Sequence, residues 1–255
     1  MYLIRYRLGA GAPQYGYLEG ETVGAVSGDI FGEFTRGQAV AKLAEVSLLP
    51  PVLPGKVLAL ETNFADQVRA AGQPAPSLPP LFFKAPSAVI GPGGAIRLPA
   101  QSQQVQHGAA LAVVIGKAGR WISPEAAPRH VLGYTCAGDV RALDIAGLDQ
   151  ALTRAASFDT FCPLGPAIAT HANPTELIVR SSVNSTTRQM TSTHDMLFTV
   201  PQVVAFASAA MTLLPGDVIL MGTPGGAGLL AAGDTVEVNI EGVGTLSNTV
   251  ALDAV

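Results

Sequence analysis

The stretch Val105–Lys117 reads VQHGAALAVVIGK and decides the fold. Its second half, LAVVIGK, is a short apolar run that ends in Gly-Lys, a pattern typical of a strand buried on both faces. Because successive side chains of a strand point to opposite faces, Gly108 and Ala110 share one face and His107 belongs to the other. The face shared by Gly108 and Ala110 therefore has no side-chain donor at these two positions.

Working outward from this strand, turn residues divide the chain into a small unit and a larger one. Residues 2–6 and 14–26 have the alternation of three short strands, and the proline-rich segment LLPPVLPG at 48–55 indicates a stiff connection. We therefore predict a small β-rich N-terminal domain with its linker at residues 1–54 and a larger domain at residues 55–255.

Strands outnumber helices in the larger unit. A buried strand is predicted at 56–60, and a hairpin at 234–250 turns at the Gly-Val-Gly of residues 242–244. Short helices are predicted at 124–131 and 200–213. The second helix is apolar nearly all round, so it must pack in the core or against another subunit, which favours a homodimer. The predicted class is α+β, dominated by β-structure.

Composition and charge exclude several kinds of partner. A net charge of -4 without a cluster of Lys or Arg excludes nucleic acid and anionic membranes as partners. No apolar run reaches the roughly 18 residues needed to span a bilayer, and a cytoplasmic location is expected. Cys136 and Cys162 have neither the number nor the spacing of a disulfide framework or a zinc site, so buried free thiols are favoured over one disulfide.

Four blocks of the chain resemble, in order, segments of the fumarylacetoacetate hydrolase family. They are LFFKAPSAVIGPGGAIRLP, AAPRHVLGYTCAGDV, FDTFCPLGP and LPGDVILMGTPGGAG. The resemblance implies a mixed β-sandwich roll, which commonly dimerises. It also implies enzymes that use Mg²⁺, Mn²⁺ or Ca²⁺ to polarise 2-oxo or β-diketo acids.

The same resemblance implies a carboxylate metal site that this chain does not reproduce. The family's Glu-x-Glu pair falls on Gly108 and Ala110, and an Asn falls on Gly138, so Asp139 is the one family ligand that remains. One carboxylate is a poor cation site. We therefore expect no metal cofactor, with Mg²⁺ or Mn²⁺ bound only if the family site is somehow retained.

Further charged positions of the family pattern are neutral in this chain. The catalytic His falls on Gln67, an Arg falls on Leu143 and a Lys falls on Ala156. Gln67 can hydrogen-bond water but cannot take its proton. Because groups of opposite charge are missing together, the pocket can stay balanced without a metal.

Three residues are candidates for catalysis, namely Asp139, Gln67 and Glu61. Glu61 lies just before the loop from Asn63 to Gln67, and it becomes an acid or base only if burial raises its pKa. The alternative is a loop carboxylate that pairs with Arg69 or faces solvent. His107 is a replacement metal ligand only if a bulge turns it toward Gly108, and a structural or surface role is favoured for it and for His171 and His194.

Five residues are candidates for binding substrate: Asn63, Arg188, Gln189, Gly222 and Thr223. Arg188 and Gln189 match the family's Arg-Gln turn, and a guanidinium suits a carboxylate. Gly222 and Thr223 begin GTPGGAG, whose glycines let backbone N–H groups approach an anion. A phosphate-binding P-loop is disfavoured because no Lys follows.

Two functions of different class follow. The first is a metal-independent enzyme that promotes tautomerisation, decarboxylation, cyclisation or C–C cleavage of an enolisable β-dicarbonyl or 2-oxo acid. The second is a non-catalytic protein that binds a small acid or partners an active paralogue. A metal-dependent hydrolase of the family type comes third. The first is favoured because GTPGGAG, Arg188-Gln189 and DTFCPLGP keep the outline of the pocket.

Overall fold

In a computed structural model, residues 1–72 and 74–253 are described. The strands of the first half are Tyr2–Leu8 (β1), Gln14–Glu19 (β2), Thr22–Gly28 (β3), Phe34–Lys42 (β4), Val46–Leu49 (β5), Val57–Leu60 (β6), Leu81–Lys84 (β7), Val89–Ile90 (β8), Ala95–Leu98 (β9) and Val105–Ile115 (β10). Those of the second half are Val131–Ala142 (β11), Cys162–Ala169 (β12), Ile178–Val183 (β13), Thr186–Ser192 (β14), Val218–Leu220 (β15), Gly228–Leu229 (β16), Thr235–Ile240 (β17) and Gly244–Leu252 (β18). The α-helices are Ala65–Ala71 (α1), Leu143–Asp149 (α2) and Val200–Ala210 (α3). The predicted α+β class, dominated by strands, is confirmed.

Two mixed sheets contain these strands. The strand order of the larger sheet is β4-β3-β2-β1-β12-β11-β10-β15-β6-β7, and β5, β8 and β16 pair with β1, β12 and β10, respectively. The strand order of the smaller sheet is β14-β13-β17-β18-β9. Parallel pairs, such as β15 with β6 and β18 with β9, lie among antiparallel ones. The long strands β10 and β11 pair along almost their whole length and form the centre of the larger sheet.

The N-terminal strands do not form a sheet of their own. Strand β1 pairs with β12 through Tyr2 opposite Ala169, so the first strands extend the sheet of the larger unit. The domain boundary at residue 54 stays a prediction.

The apolar run LAVVI is buried as its sequence predicts. Every residue from Leu111 to Ile115 is fully buried, because one face packs in one core cluster and the other face in a second. The hairpin predicted at 234–250 is also confirmed, since β17 and β18 pair directly.

The helix predictions were right in place but wrong in extent. Within 124–131 the structure has a short 3₁₀ helix at Ala127–His130, since Pro124 and Pro128 lack the N–H groups that a longer α-helix requires. Helix α3 ends at Ala210, before the bridge between Leu213 and Gly119.

Helix α3 buries its apolar residues within the same chain. Val203, Val204 and Ala207 are completely buried, whereas Phe206 is partly exposed. The core of the same chain thus covers most of the apolar surface of α3. The homodimer stays a prediction. Across the described part of the chain, no helix has both the length and the apolar character to cross a membrane.

Candidate functional site

A cavity of about 310 Å³ lies beside the central strands β10 and β11. Gly108 is opposite Asp139 in this pair, and Gln106 is opposite Arg141. Because residues two apart share a face, these four residues line one wall of the cavity. Helix α1 and the loop at 222–228 line the rest.

Asp139 lies at the centre of a buried group of three charges, which we call the ion triad: Lys84, Asp139 and Arg141. Lys84 Nζ is 2.9 Å from Asp139 Oδ1, and Arg141 Nη2 is 2.5 Å from Asp139 Oδ2. The side chains of Lys84 and Asp139 are fully buried, and that of Arg141 is 11% exposed. Burial raises the pKa of Asp139, but Arg141 and Lys84 lower it by more, to about 2. Asp139 is therefore ionised and is a weak base.

Arg141 is held on several sides. Its Nε and Nη2 both donate to Asp139 Oδ2, and Nη2 also donates to the Leu60 carbonyl at 3.3 Å. The ring of Phe82 lies 4.7 Å from the guanidinium carbon. These contacts use Nε and Nη2, and Nη1 makes no hydrogen bond to the residues that the structure describes.

Thr223 enters the cavity from the loop at 222–228, and Gln189 holds it there. Gln189 Nε2 donates to Thr223 Oγ1 at 2.9 Å and to the Pro224 carbonyl at 2.7 Å. Gln189 Oε1 accepts from Ala109 N and from Ser181 Oγ. Both ends of this buried amide are occupied, so Gln189 acts in the structure as a positioning residue for the loop.

Asn63 is likewise occupied by the protein itself. It is fully buried, and its Nδ2 donates to the carbonyls of Phe198 and Met221, while its Oδ1 accepts from Phe198 N. Asn63 therefore connects three segments beside the site, and its amide is not available to a substrate.

Gln67 lines the cavity from helix α1. Its Nε2 donates to the Glu61 carbonyl at 2.9 Å, and its Oε1 is 3.4 Å from Asn63 N. Glu61 is exposed and lines a neighbouring cavity of about 250 Å³. The acid–base role predicted for Glu61 required a buried side chain. The side chain is exposed, so this premise was wrong.

Arg188 lies outside the cavity wall. Its neighbour Gln189 faces inward, and Arg188 itself is exposed on β14, as strand alternation requires. Its carbonyl packs beside Gly226, where a Cβ would be only 2.6 Å from the oxygen. The structure therefore brings the backbone of Arg188 to the loop, but not its guanidinium to the substrate space.

The histidines and cysteines lie elsewhere. His107 is buried, neither ring nitrogen has a hydrogen-bond partner, and burial lowers its pKa to about 4. It does not line the cavity, which agrees with its predicted face. His171 contacts the N-terminal amine and His194 is exposed. Cys136 and Cys162 are free and buried, as expected.

Comparisons with known proteins decide the family. Residues 56–251 match the C-terminal region of fumarylacetoacetate (FAA) hydrolase, and residues 1–51 match the Rv2993c-like N-terminal family. The chain belongs to the FAA hydrolase family. The earlier resemblance is thereby confirmed, together with the fold it implied.

Solved and curated relatives in the FAA hydrolase family include enzymes of several kinds. The chain is 39% identical to the structure of 5-carboxymethyl-2-hydroxymuconate delta-isomerase from Mycobacterium smegmatis, with a TM-score of 0.93 and coverage of 99% and 100%. It is 40% identical over 228 residues to the mitochondrial oxaloacetate tautomerase fahd2 of Xenopus laevis, covering 84% of this chain and 71% of that one. It is 29% identical to maleylpyruvate hydrolase from Sphingobium sp. SYK-6 in complex with manganese (II) ion and pyruvate, with a TM-score of 0.80 and full coverage of both chains.

The donors of this FAA hydrolase chain do not fit a divalent cation at Asp139. Gly108 and Ala110 offer no side-chain oxygen, and both oxygens of Asp139 already bind cationic side chains. A Cβ on Gly108 would lie 2.8 Å from Thr223 Cβ and closer still to its hydroxyl. The space for a ligand at residue 108 is thus filled by Thr223. Within residues 1–72 and 74–253, no three His, Cys, Asp or Glu residues are grouped as metal ligands.

Sequence reasoning missed two members of the ion triad. Lys84 lies within a block that matched the family, and Arg141 follows Asp139 by two residues on the same strand face. One signal was available, because a buried carboxylate in a predicted strand needs a cationic partner. Arg141 was the nearest candidate on that face.

The loop at 222–228 needs glycine at its first position. Gly222 has φ +83°, and a Cβ there would be 2.9 Å from Asn63 Cβ. We expect Gly222→Ala to lower the free energy of unfolding by about 2 kcal/mol or more, through left-handed strain and this contact. Urea unfolding followed by circular dichroism measures the change. Gly228→Ala is the matched control, since a Cβ there meets nothing within 4 Å. Equal effects of the two variants would contradict the expectation.

Proposed function

We propose that this chain is a metal-independent enzyme of the tautomerase or isomerase kind, acting on a small enolisable 2-oxo or β-dicarbonyl acid. The observation that carries the proposal is the guanidinium of Arg141 at the cavity wall, fixed by Asp139. The named relatives, an oxaloacetate tautomerase and a delta-isomerase, support the reaction class.

The chemistry needed is the stabilisation of an enolate. When a proton leaves the carbon beside the substrate's carbonyl, negative charge develops on the carbonyl oxygen, and a fixed cation in a dry site lowers the energy of that state. Return of a proton to oxygen or to another carbon completes the isomerisation without loss or gain of atoms. Decarboxylation, cyclisation and C–C cleavage of such acids share the same charged state.

The residues that line the cavity have different roles in this proposal. Arg141 contacts the developing oxygen, whereas Asp139, with its lowered pKa, positions Arg141 and is not the proton acceptor. Gln67 lines the cavity, one N–H of its Nε2 is left for a water, and solvent would carry the proton, which suffices for substrates that are already acidic. Thr223 and the backbone of the loop orient the carboxylate.

One observation favours the non-catalytic alternative, a protein that binds a small acid. Asp139 is the carboxylate that lines the cavity, and its pKa of about 2 makes it unsuited to accept a proton near neutral pH. Binding without turnover would follow from the same geometry.

The deciding experiment follows the enol-to-keto conversion of oxaloacetate by ultraviolet absorbance, with the protein in excess EDTA. We expect acceleration above the buffer rate and no change when EDTA is replaced by Mn²⁺. Turnover that appears only with Mn²⁺ would contradict the proposal and support a metal-dependent reaction. Absence of turnover under both conditions, for oxaloacetate and for an acylpyruvate, would favour the binding protein. Light scattering of the same sample tests the predicted homodimer.

A further inference from the structure

The ion triad occupies the position at which the family pattern has its metal carboxylates. We infer that Arg141, held by Asp139, whose other oxygen binds Lys84, is a permanent cation that binds the substrate in place of a metal, and that its ligand is a planar anion offering two oxygens on adjacent carbons. The inference rests on the proposed function for the reaction class, and its binding step is tested separately.

The guanidinium is fixed before any ligand binds. Asp139 accepts from Nε and Nη2, the Leu60 carbonyl accepts from Nη2, and the Phe82 ring lies 4.7 Å from Cζ. Arginine loses little additional freedom when its remaining N–H groups bind an oxygen pair in this state. Asp139 thus serves as a positioning residue.

Lys84 gives the triad its excess charge. Arg141 and Asp139 alone would form a neutral pair, which attracts an anion weakly. Lys84 is fully buried and donates to Asp139 Oδ1 and to the Val140 carbonyl, both at 2.9 Å. Two cations and one carboxylate leave one net positive charge next to the cavity. Arg141 and Asp139 both line the cavity, and Lys84 lies behind Asp139, so the excess positive charge of the triad acts on a ligand there.

A metal ion is excluded by occupied space as well as by missing donors. A cation at Asp139 would have to displace both Arg141 and Lys84 from its oxygens. Thr223 fills the place beside Gly108, and Gln189 holds Thr223 through a 2.9 Å hydrogen bond. The ion triad and the Gln189–Thr223 pair thus occupy the places that a metal ion and its ligands would need.

Calorimetry with oxalate, a planar dianion with adjacent oxygens, tests the inference. The protein in EDTA is expected to bind oxalate, and Arg141→Gln is expected to weaken binding at least tenfold. Arg154→Gln is the matched control, because Arg154 also makes a two-point contact to a carboxylate, Asp149, but on the exposed surface. That variant should bind oxalate like the parent protein.

Two further variants keep the inference falsifiable. Arg141→Lys retains charge but loses the planar guanidinium that Asp139 holds, so it should bind oxalate more weakly than the parent protein, and its thermal unfolding curve shows whether it is folded. Lys84 does not line the cavity, yet Lys84→Met should weaken oxalate binding because it removes the excess positive charge. A thermal unfolding curve shows whether this variant is folded. If folded Lys84→Met binds oxalate like the parent protein, the role assigned to Lys84 is wrong.

The outcomes separate this inference from the proposed function. Oxalate binding that depends on Arg141 in EDTA, without turnover of oxaloacetate, would overturn the enzyme proposal and support the inference. Turnover of oxaloacetate in EDTA, together with an unchanged oxalate affinity in Arg141→Gln, would support the enzyme proposal and overturn the inference. Oxalate binding that requires added Mn²⁺ would overturn the inference.

Discussion

Asp139→Asn is expected to lower the free energy of unfolding by about 3–5 kcal/mol, because it leaves two buried cations without their common counter-ion. Lys84 is fully buried and Arg141 nearly so, and the asparagine amide cannot offset their charge. Urea unfolding followed by far-ultraviolet circular dichroism measures the loss as a shift of the midpoint at constant slope.

The control for this variant is Asp149→Asn. Asp149 pairs with Arg154 at 2.5 Å, but both side chains are partly exposed to solvent. Surface ion pairs contribute little because water and salt screen them. Asp149→Asn should therefore unfold at nearly the urea concentration of the parent protein. A similar midpoint shift in both variants would contradict the importance given to burial.

The pH dependence of stability provides a second measurement on Asp139. Its pKa in the folded protein is lowered from its ordinary value of 3.8 to about 2, despite burial, by Arg141 and Lys84. The unfolded chain therefore binds the proton first as the pH falls. The stabilisation is complete above pH 4 or so and is lost as the pH falls toward about 2. Asp139→Asn should lack this acid-sensitive component, and an unchanged acid profile in that variant would count against the ion triad.

Arg141→Gln is expected to lower kcat/KM for oxaloacetate by about 10²–10³-fold, the usual cost of removing one preorganised donor that stabilises an oxyanion. Its guanidinium is the cationic group that lines the cavity, and glutamine has no charge with which to replace it. Steady-state measurements in EDTA separate the effects on kcat and KM. Loss mainly in kcat would show that Arg141 acts on the charge that develops during the reaction.

Arg154→Gln again serves as the control for a general effect of removing an arginine. It removes a guanidinium with a comparable carboxylate partner, and Arg154 does not line the cavity. Rates equal to those of the parent protein are expected. An Arg141→Gln variant that retains parental kcat/KM would remove Arg141 from the mechanism.

Much of the fold could be predicted from local patterns. LAVVI is apolar at every position and is buried on both faces, and the turn at 242–244 forces the hairpin of β17 and β18. The extent of the helices was less predictable, since tertiary contacts decide it. Helix α3 stops where residues 211–213 turn to pair with Gly119, a contact that no local preference reveals.

The candidate site was only partly predictable. Asp139, Gly108, Gln67 and Thr223 are brought together at the cavity, as their sequence blocks suggested. Asn63 and Gln189 also lie near it, but internal hydrogen bonds occupy their amides. A sequence shows which side chains can form hydrogen bonds, but not which of them are already bonded to other groups of the protein.

Lys84 illustrates the other limit of sequence reasoning. It is separated from Asp139 by 55 residues, and three strands lie between β7 and β11 in the larger sheet, so neither the local sequence nor strand pairing indicates this contact. Counting the charges lost from a family pattern therefore suggested a pocket poorer in cations than the one found. The compensating charges were present, but they are recognised only in three dimensions.

The pairing of β1 with β12 has a consequence for synthesis of the chain. Tyr2 has its partner at Ala169, so the ribosome must add more than half of the chain before the first strand finds its neighbour in the larger sheet. Until then, β1 can pair with β2 on one edge and with β5 along Arg5–Leu8 on the other, whereas Tyr2 and Leu3 lack their partners on that second edge. During synthesis this short unpaired edge is therefore a place where β1 can pair wrongly, until residues 168 and 169 have been added and can pair with it.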